Sequence, residues 1–163
     1  MKAENIRREL AVYGASHQKK CKQIYFGQTL TDEIVAAHKK YYAPIAPDEE
    51  VLLIVNKIYS GWYGRILSGL CITDRFIYYQ LTKNTFFAPL FLSKVRGIIP
   101  LENIRELTIG ESPFMLDSSN EGLQLLINNK VVGILRMGNN WWWGERAEME
   151  EQLRHLFNAF CHE

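Results

Sequence analysis

The sequence predicts a β-rich α+β fold: two N-terminal helices, then about seven short antiparallel strands rolled into a partly open barrel, then a helix that caps it. Three features carry this expectation. From Glu49 onward the chain breaks into short apolar runs bounded by turn residues, which is the texture of strands. Asn128-Asn129 separates two such runs, and Asn tolerates the positive φ that a two-residue hairpin turn demands. The last stretch, Glu145 to Phe160, holds Met149, Leu153, Leu156, Phe157 and Phe160 at i, i+4, i+7, i+8 and i+11, one apolar stripe of a helix.

Taken in order, Met1 to about Val12 reads as a helix with Ile6, Leu10 and Tyr13 on one face. A polar, basic stretch follows from Ala15 to Gln23. A second helix is expected from about Leu30 to Tyr42, capped by Thr29 or Thr31, with Asp32 and Glu33 suiting the positive end of the helix dipole. Pro44 and Pro47 end helical structure. The strands are read at Val51–Tyr59, Arg65–Thr73, Arg75–Leu81, Ile98–Leu101, Ile104–Ile109, Leu123–Ile127 and Val131–Met137. Gly61-Trp62-Tyr63-Gly64 and Thr73-Asp74-Arg75 are the first two turns. The closing helix is acidic in its first turn and carries Glu148, Glu150, Glu151 and Arg154 on its polar side. Two parts result: a helical extension over 1–47 and a barrel domain with its helix over 48–163.

At 163 residues, one core suffices to hold the fold without covalent staples. The three cysteines, Cys21, Cys71 and Cys161, are an odd number without metal spacing, which points to reduced thiols and a cytoplasmic home. MKAENIRREL has no apolar core of a signal peptide. The longest apolar stretches, Val51–Val55 and Phe86–Leu92, are far short of a spanning helix. Net charge is +1, but residues 1–100 carry +6 and residues 101–163 carry −5. A basic front half attracts anionic lipid or nucleic acid; the alternative is that the two halves face each other within the fold or an oligomer.

The run Gly69-Leu70-Cys71-Ile72-Thr73-Asp74-Arg75-Phe76-Ile77-Tyr78 resembles bacterial PH-like domains and the related GRAM domains: an apolar strand, a Thr, a polar turn, an Arg or Lys, then another apolar strand. Ile99-Pro100-Leu101-Glu102-Asn103-Ile104-Arg105-Glu106-Leu107 is similar to their Ile-Pro-Leu-x-x-Ile-x-x-Ile strand. The acidic lead-in Asp48-Glu49-Glu50-Val51-Leu52 and the final helix complete the match, over about Asp48 to Phe160. The resemblance implies a seven-stranded, partly open barrel with one capping helix, used as a docking platform. Some relatives bind phosphoinositides through basic residues around the first two strands. Here that region offers Lys57 and Arg65, without the Lys-x-Arg or Arg-x-Arg that converging phosphate contacts require.

No P-loop, dinucleotide fingerprint, nucleophile elbow or His-Glu-x-x-His motif occurs. His17 and Cys21 share a helical spacing, but two ligands are too few for a structural zinc. Cys161-His162 reads as a terminal tail. Glu102, Glu106 and Glu111 read as solvated carboxylates. No catalytic residue, metal or cofactor is therefore assigned, and the chain is read as a non-enzyme.

Three features suit binding. Thr85-Phe86-Phe87-Ala88-Pro89-Leu90-Phe91-Leu92 lies between two strands and is flanked by Lys83, Lys94 and Arg96; Pro89 argues against a central strand. Its Phe86, Phe87, Leu90 and Phe91 suit a membrane interface beside basic residues, or a contact with the N-terminal helices or another subunit. Trp141, Trp142 and Trp143 cannot all point inward, so a lipid, peptide or self-association contact is the second candidate. The third is the basic N-terminal stretch with Arg7, Arg8, Lys19, Lys20, Lys22, Lys39 and Lys40. It lacks interleaved aromatics and a docking motif, so a solvated helical face is preferred to nucleic-acid binding. The expected function is a PH-like interaction module that docks a protein partner or self-associates, the alternative being peripheral attachment to anionic lipid at the inner face of the membrane.

Overall fold

The computed structural model describes residues 2–16, 23–42, 44–61, 64–82, 94–111, 122–136 and 143–161. The fold is a strand-rich α+β one. Helix α1 covers Lys2–Ser16, strand β1 Ile24–Phe26 and helix α2 Asp32–Lys39. Strands β2 (Val51–Gly61), β3 (Gly64–Thr73), β4 (Phe76–Thr82), β5 (Lys94–Pro100), β6 (Leu107–Glu111), β7 (Gly122–Ile127) and β8 (Lys130–Arg136) follow, and helix α3 (Trp143–Asn158) closes the chain. All the strand pairs are antiparallel, in the order β1-β2-β3-β4-β8-β7-β6, with β5 on the other edge of β4.

Strands β2 to β5 form one meander and β6 to β8 a second. They meet at a single rung, Thr82 opposite Ile134. There the Ser68 and Thr82 hydroxyls both donate to the Ile134 carbonyl, at 3.4 and 3.3 Å. Register shifts at Val51/Leu53 and Leu125/Leu126 act as bulges, which bend strands and increase twist. The result is a curled half-barrel of β2 to β8, with β1 added on the β2 edge.

The predicted stripe of α3 fills the hollow. Met149, Leu153, Leu156, Phe157 and Phe160 are all buried, in one cluster with Leu53, Val55, Leu70, Ile72, Ile77, Leu107, Leu123, Leu125 and Leu135. Ile6 and Leu10 of α1 join that cluster, with Ile24 and Phe26 of β1, so the N-terminal elements complete the same core. The expected helix at the start of the chain thus has its apolar face where periodicity put it. The β1 strand lies between the polar stretch and the second helix, in a segment to which no element was assigned. Its three residues are too few to show an alternation.

The outer face of β2 to β4 is also covered. Ile54, Cys71 and Tyr78 form a second buried cluster beneath Tyr25, Leu30, Val35, Tyr42 and Ile45. Two-sided burial explains why Val51–Val55 and Leu70–Ile72 are continuous apolar runs rather than alternating ones. The covering helix α2 is shorter than expected at both ends, with Thr31 as its N-cap (Oγ1 to Ile34 N, 3.4 Å). Thr29 instead accepts from the Phe26 N–H at 2.9 Å and closes the turn before it.

Two further boundaries differ from expectation. Strand β5 begins at Lys94 rather than Ile98, because Lys94 opposes Thr82 and the ladder continues unbroken to Pro100 opposite Phe76. The segment read as a strand from Ile104 begins its ladder only at Leu107, after a 3₁₀ turn at Leu101–Asn103. The Asn128-Asn129 hairpin is as expected, with φ of 52° and 63°.

Burial gives the outer cluster a titration signature. Burial raises the Cys71 thiol to about 12, and it lifts the Tyr42 phenol well above its ordinary range. Burial, and then the hydrogen bonds to Glu49, raise the Tyr78 phenol. All three keep their protons in the fold at pH values where the unfolded chain has lost them. Stability is therefore complete below the unfolded values, about 8.5 for a thiol and 10 for a phenol, and falls as pH rises through them. A thermal-melt series from pH 8 to 11 is expected to show a progressive drop in Tm, and Cys71→Ala is expected to flatten its early part.

Candidate functional site

The antiparallel register sorts the connections of the half-barrel between its two ends. At one end lie the Thr73–Phe76 turn, the Leu101–Glu106 connection and the Asn128-Asn129 turn, all tightly bonded. Thr73 Oγ1 accepts from the Arg75 and Phe76 N–H groups at 3.2 and 2.9 Å. Leu101 N donates to Arg75 O at 2.7 Å. Asn128 Oδ1 accepts from Arg105 N and Glu106 N at 2.7 and 3.1 Å, while its Nδ2 donates to Asn103 O at 2.8 Å. Helix α1 lies across this end: Lys2 Nζ donates to Ile104 O, and Tyr13 stands against Phe26 with centroids 5.8 Å apart.

The residues that carry the family resemblance gather here. The Glu49 carboxylate, 7% exposed, accepts from Thr73 Oγ1 at 2.8 Å, from Tyr78 OH at 2.9 Å and from Ala46 N at 3.1 Å. Asp48 pairs with Arg75 at 2.6 Å, and Asp74 and Glu50 exchange two hydrogen bonds. Leu101, Ile104 and Leu107 are buried. The acidic lead-in, the Thr-Asp-Arg turn and the Ile-Pro-Leu run are thus braces of the closed end.

At the opposite end stand the Gly61/Gly64, Thr82/Lys94 and Glu111/Leu123 rungs and the end of β8 at Arg136, opposite Gly122. The connections 62–63, 83–93, 112–121 and 137–142 join these strand ends. They lie outside the described residues, and with them Lys83, Phe86, Phe87, Leu90, Phe91, Trp141 and Trp142, and also His17 and Cys21. By sequence these four connections hold eight of the chain's twenty aromatic residues. Trp143 opens α3, which runs on toward the closed end, where the Cys161 thiol reaches Leu107 O at 3.5 Å.

Of the predicted cations, Lys57 and Arg65 occupy the β2–β3 ribbon, on the Lys57/Ser68 and Ser60/Arg65 rungs three apart. Lys94 and Arg96 sit together on β5, at alternate positions, both exposed. The ion pairs among the described residues are Arg7–Glu50, Arg75–Asp48 and Arg154–Glu150, so neither Lys94 nor Arg96 belongs to one. Arg7, from the basic N-terminal stretch, is thus paired with an acid.

Sequence reasoning missed the polar cluster on the outer face. Tyr42 OH donates to Asn56 Oδ1, and Asn56 Nδ2 donates to His38 Nδ1. Burial first, and then the charge of Lys40, hold the His38 pKa below the ordinary value. Tyr25 lies 5.3 Å from its ring. The available signals were Asn56 directly after an apolar run and Gly69 inside a strand, a glycine position that marks close backbone approach. Beside this cluster, α1, α2 and the start of β2 enclose a cleft of about 500 Å³ lined by Arg7, Leu10, Leu30, Val35, Lys39 and Glu50, among others.

Chemically, these groups hold structure together. A buried thiol raised to about 12 is no nucleophile at neutral pH. The one nitrogen of His38 that accepts is taken by Asn56. Among the described residues no three His, Cys, Asp or Glu side chains converge as metal ligands, and no helix is long and apolar enough to cross a membrane. No protein-family model, curated protein or solved structure matches the chain. Fold and site together define a curled antiparallel half-barrel braced at one end, with a helix as its plug.

Proposed function

We propose that the protein is a non-catalytic binding module of the PH-like type, which docks a protein partner or a second copy of itself through the end of the half-barrel opposite α1. The observation that supports this most is the antiparallel register, which sorts the strand ends between two ends of the half-barrel. Hydrogen bonds and ion pairs brace the described end. The strand ends at the other flank every one of the four connections in which the sequence concentrates aromatic residues. Aromatic anchors supply most of the energy of protein interfaces, and a rigid scaffold that presents loops from one end is a common binding architecture. The 4+3 strand arrangement with a C-terminal helix agrees with the PH-like reading.

Selection of peptides from a displayed library, followed by titration, tests the proposal. Saturable binding that Phe87→Asp or Trp142→Asp weakens at least tenfold, with melting temperature unchanged, is the expected result. Binding indifferent to both substitutions, or no selectable ligand together with a strictly monomeric mass at high concentration, would contradict it. The second reading, attachment to anionic membrane, draws on Lys94 and Arg96 beside the 83–93 connection. Sedimentation with phosphatidylserine vesicles decides it: equal pelleting of wild type and Phe87→Asp would rule out that contact.

A further inference from the structure

The outer edge of β5 is a second and more specific surface. Among the described residues strand β5 pairs only with β4, so along its other edge it presents backbone C=O groups and, before Pro100, N–H groups that no described strand takes up. On one side of the strand Val95, Gly97 and Ile99 are half-buried, and Ile99 packs against the main core. There the Tyr79 ring covers Gly97, where a Cβ would stand 2.1 Å from the phenol oxygen. The other side presents Lys94, Arg96 and Ile98, all exposed, and Ile98 at 49% is among the few large exposed apolar side chains of the described residues. Side chains opposite one another across an antiparallel pair approach to about 5 Å, so a strand added here would be read at alternate positions by a cation, a cation and an aliphatic group.

We infer that β5 captures an extended, acidic segment of a protein partner as an added antiparallel strand. That segment reads, from N to C, apolar-x-acidic-x-acidic. The inference rests on the binding-module reading and assigns it a partner chemistry. Charge decides between occupants. A second copy pairing through β5 about Gly97 would set Arg96 against Ile98 and Lys94 against Pro100. Four cations would then line one seam without a counter-charge, and Pro100 has no N–H to give. An acidic strand neutralises Lys94 and Arg96, covers Ile98 and takes up the free backbone groups, which is the mode of β-strand addition.

A fluorescein-labelled heptapeptide, Thr-Val-Thr-Glu-Thr-Glu-Thr, tests this by anisotropy against the whole protein. Saturable binding is expected, weakened at least tenfold by the Lys94→Glu/Arg96→Glu double variant and by the same peptide N-methylated at alternate amides. Methylation removes donors without altering charge, so it separates strand addition from attraction alone. Both substituted positions are exposed, and an unchanged melting temperature keeps the comparison valid. Equal binding of the methylated peptide, or no saturation by the parent peptide, overturns the inference. So does pelleting with anionic vesicles that depends on Lys94 and Arg96 while the peptide fails to bind. Library peptides that bind while the heptapeptide fails to saturate overturn it too, while leaving the module reading intact.

Discussion

Phe157→Ala is expected to destabilise the protein by about 3–5 kcal/mol, a loss that a domain of this size does not easily tolerate. Phe157 is 1% exposed and meets Phe160 edge to face, with centroids 6.4 Å apart. Both rings sit in the cluster that joins α3 to the inner faces of the two meanders and to Ile6 and Leu10 of α1. Truncation removes apolar area from water-free surroundings and leaves a cavity that three packed layers cannot all close. Urea unfolding reads the effect. Glu151→Ala, on the exposed side of the same helix, is the control and is expected to stay within about 0.5 kcal/mol. Similar stabilities for the two variants would mean that the helix does not plug the half-barrel.

Gly69→Ala is expected to be nearly as damaging, at about 3 kcal/mol, although it adds a single methyl group. The new Cβ would stand 2.1 Å from the Val55 carbonyl oxygen, 2.6 Å from Asn56 Oδ1 and 2.9 Å from Tyr42 OH. The first of these is backbone within the β2–β3 ladder, so no rotamer change relieves it. The other two are the atoms that join α2 to the sheet, through Tyr42, Asn56 and His38. Gly110→Ala is the matched control, since its nearest neighbour, a Leu126 methyl, lies at an ordinary 3.5 Å. A Gly69→Ala protein that melts with the Gly110→Ala control would show that the outer layer does not press on β3 as described.

What was legible in the sequence is local. The α3 stripe needs only five residues at helical spacing, and each of them is buried. The Asn128-Asn129 turn needs only two residues that accept positive φ. Strand β5 was read four residues short because Lys94 and Arg96 look like loop flanks until the ladder to β4 fixes them as the exposed positions of an edge strand. The outer layer was not legible. The continuous apolar run Val51–Val55 says that a strand is covered on both sides, but not by what. The cover comes from Leu30, Val35, Tyr42 and Ile45, which are close in sequence but have no period that points to β2 and β3. Glu49 reads as part of an acidic lead-in, yet it is buried and accepts from Thr73 and Tyr78, both more than twenty residues along the chain. Such long-range pairing leaves no mark on local pattern. The candidate site was half legible: the aromatic connections stand out by composition, whereas only strand register brings the strand ends that border them to one end of the half-barrel.

The joint between the two meanders is the point on which barrel and plug both depend. A ¹⁵N/¹³C-edited NOESY spectrum examines it directly. Cross-strand contacts between Thr82 and Ile134, together with contacts from the Phe157 ring to methyl groups of both meanders, are the predicted result. A spectrum in which β2 to β5 and β6 to β8 each show internal ladders but share no contact, with the Phe157 ring seeing only one of them, would contradict the account.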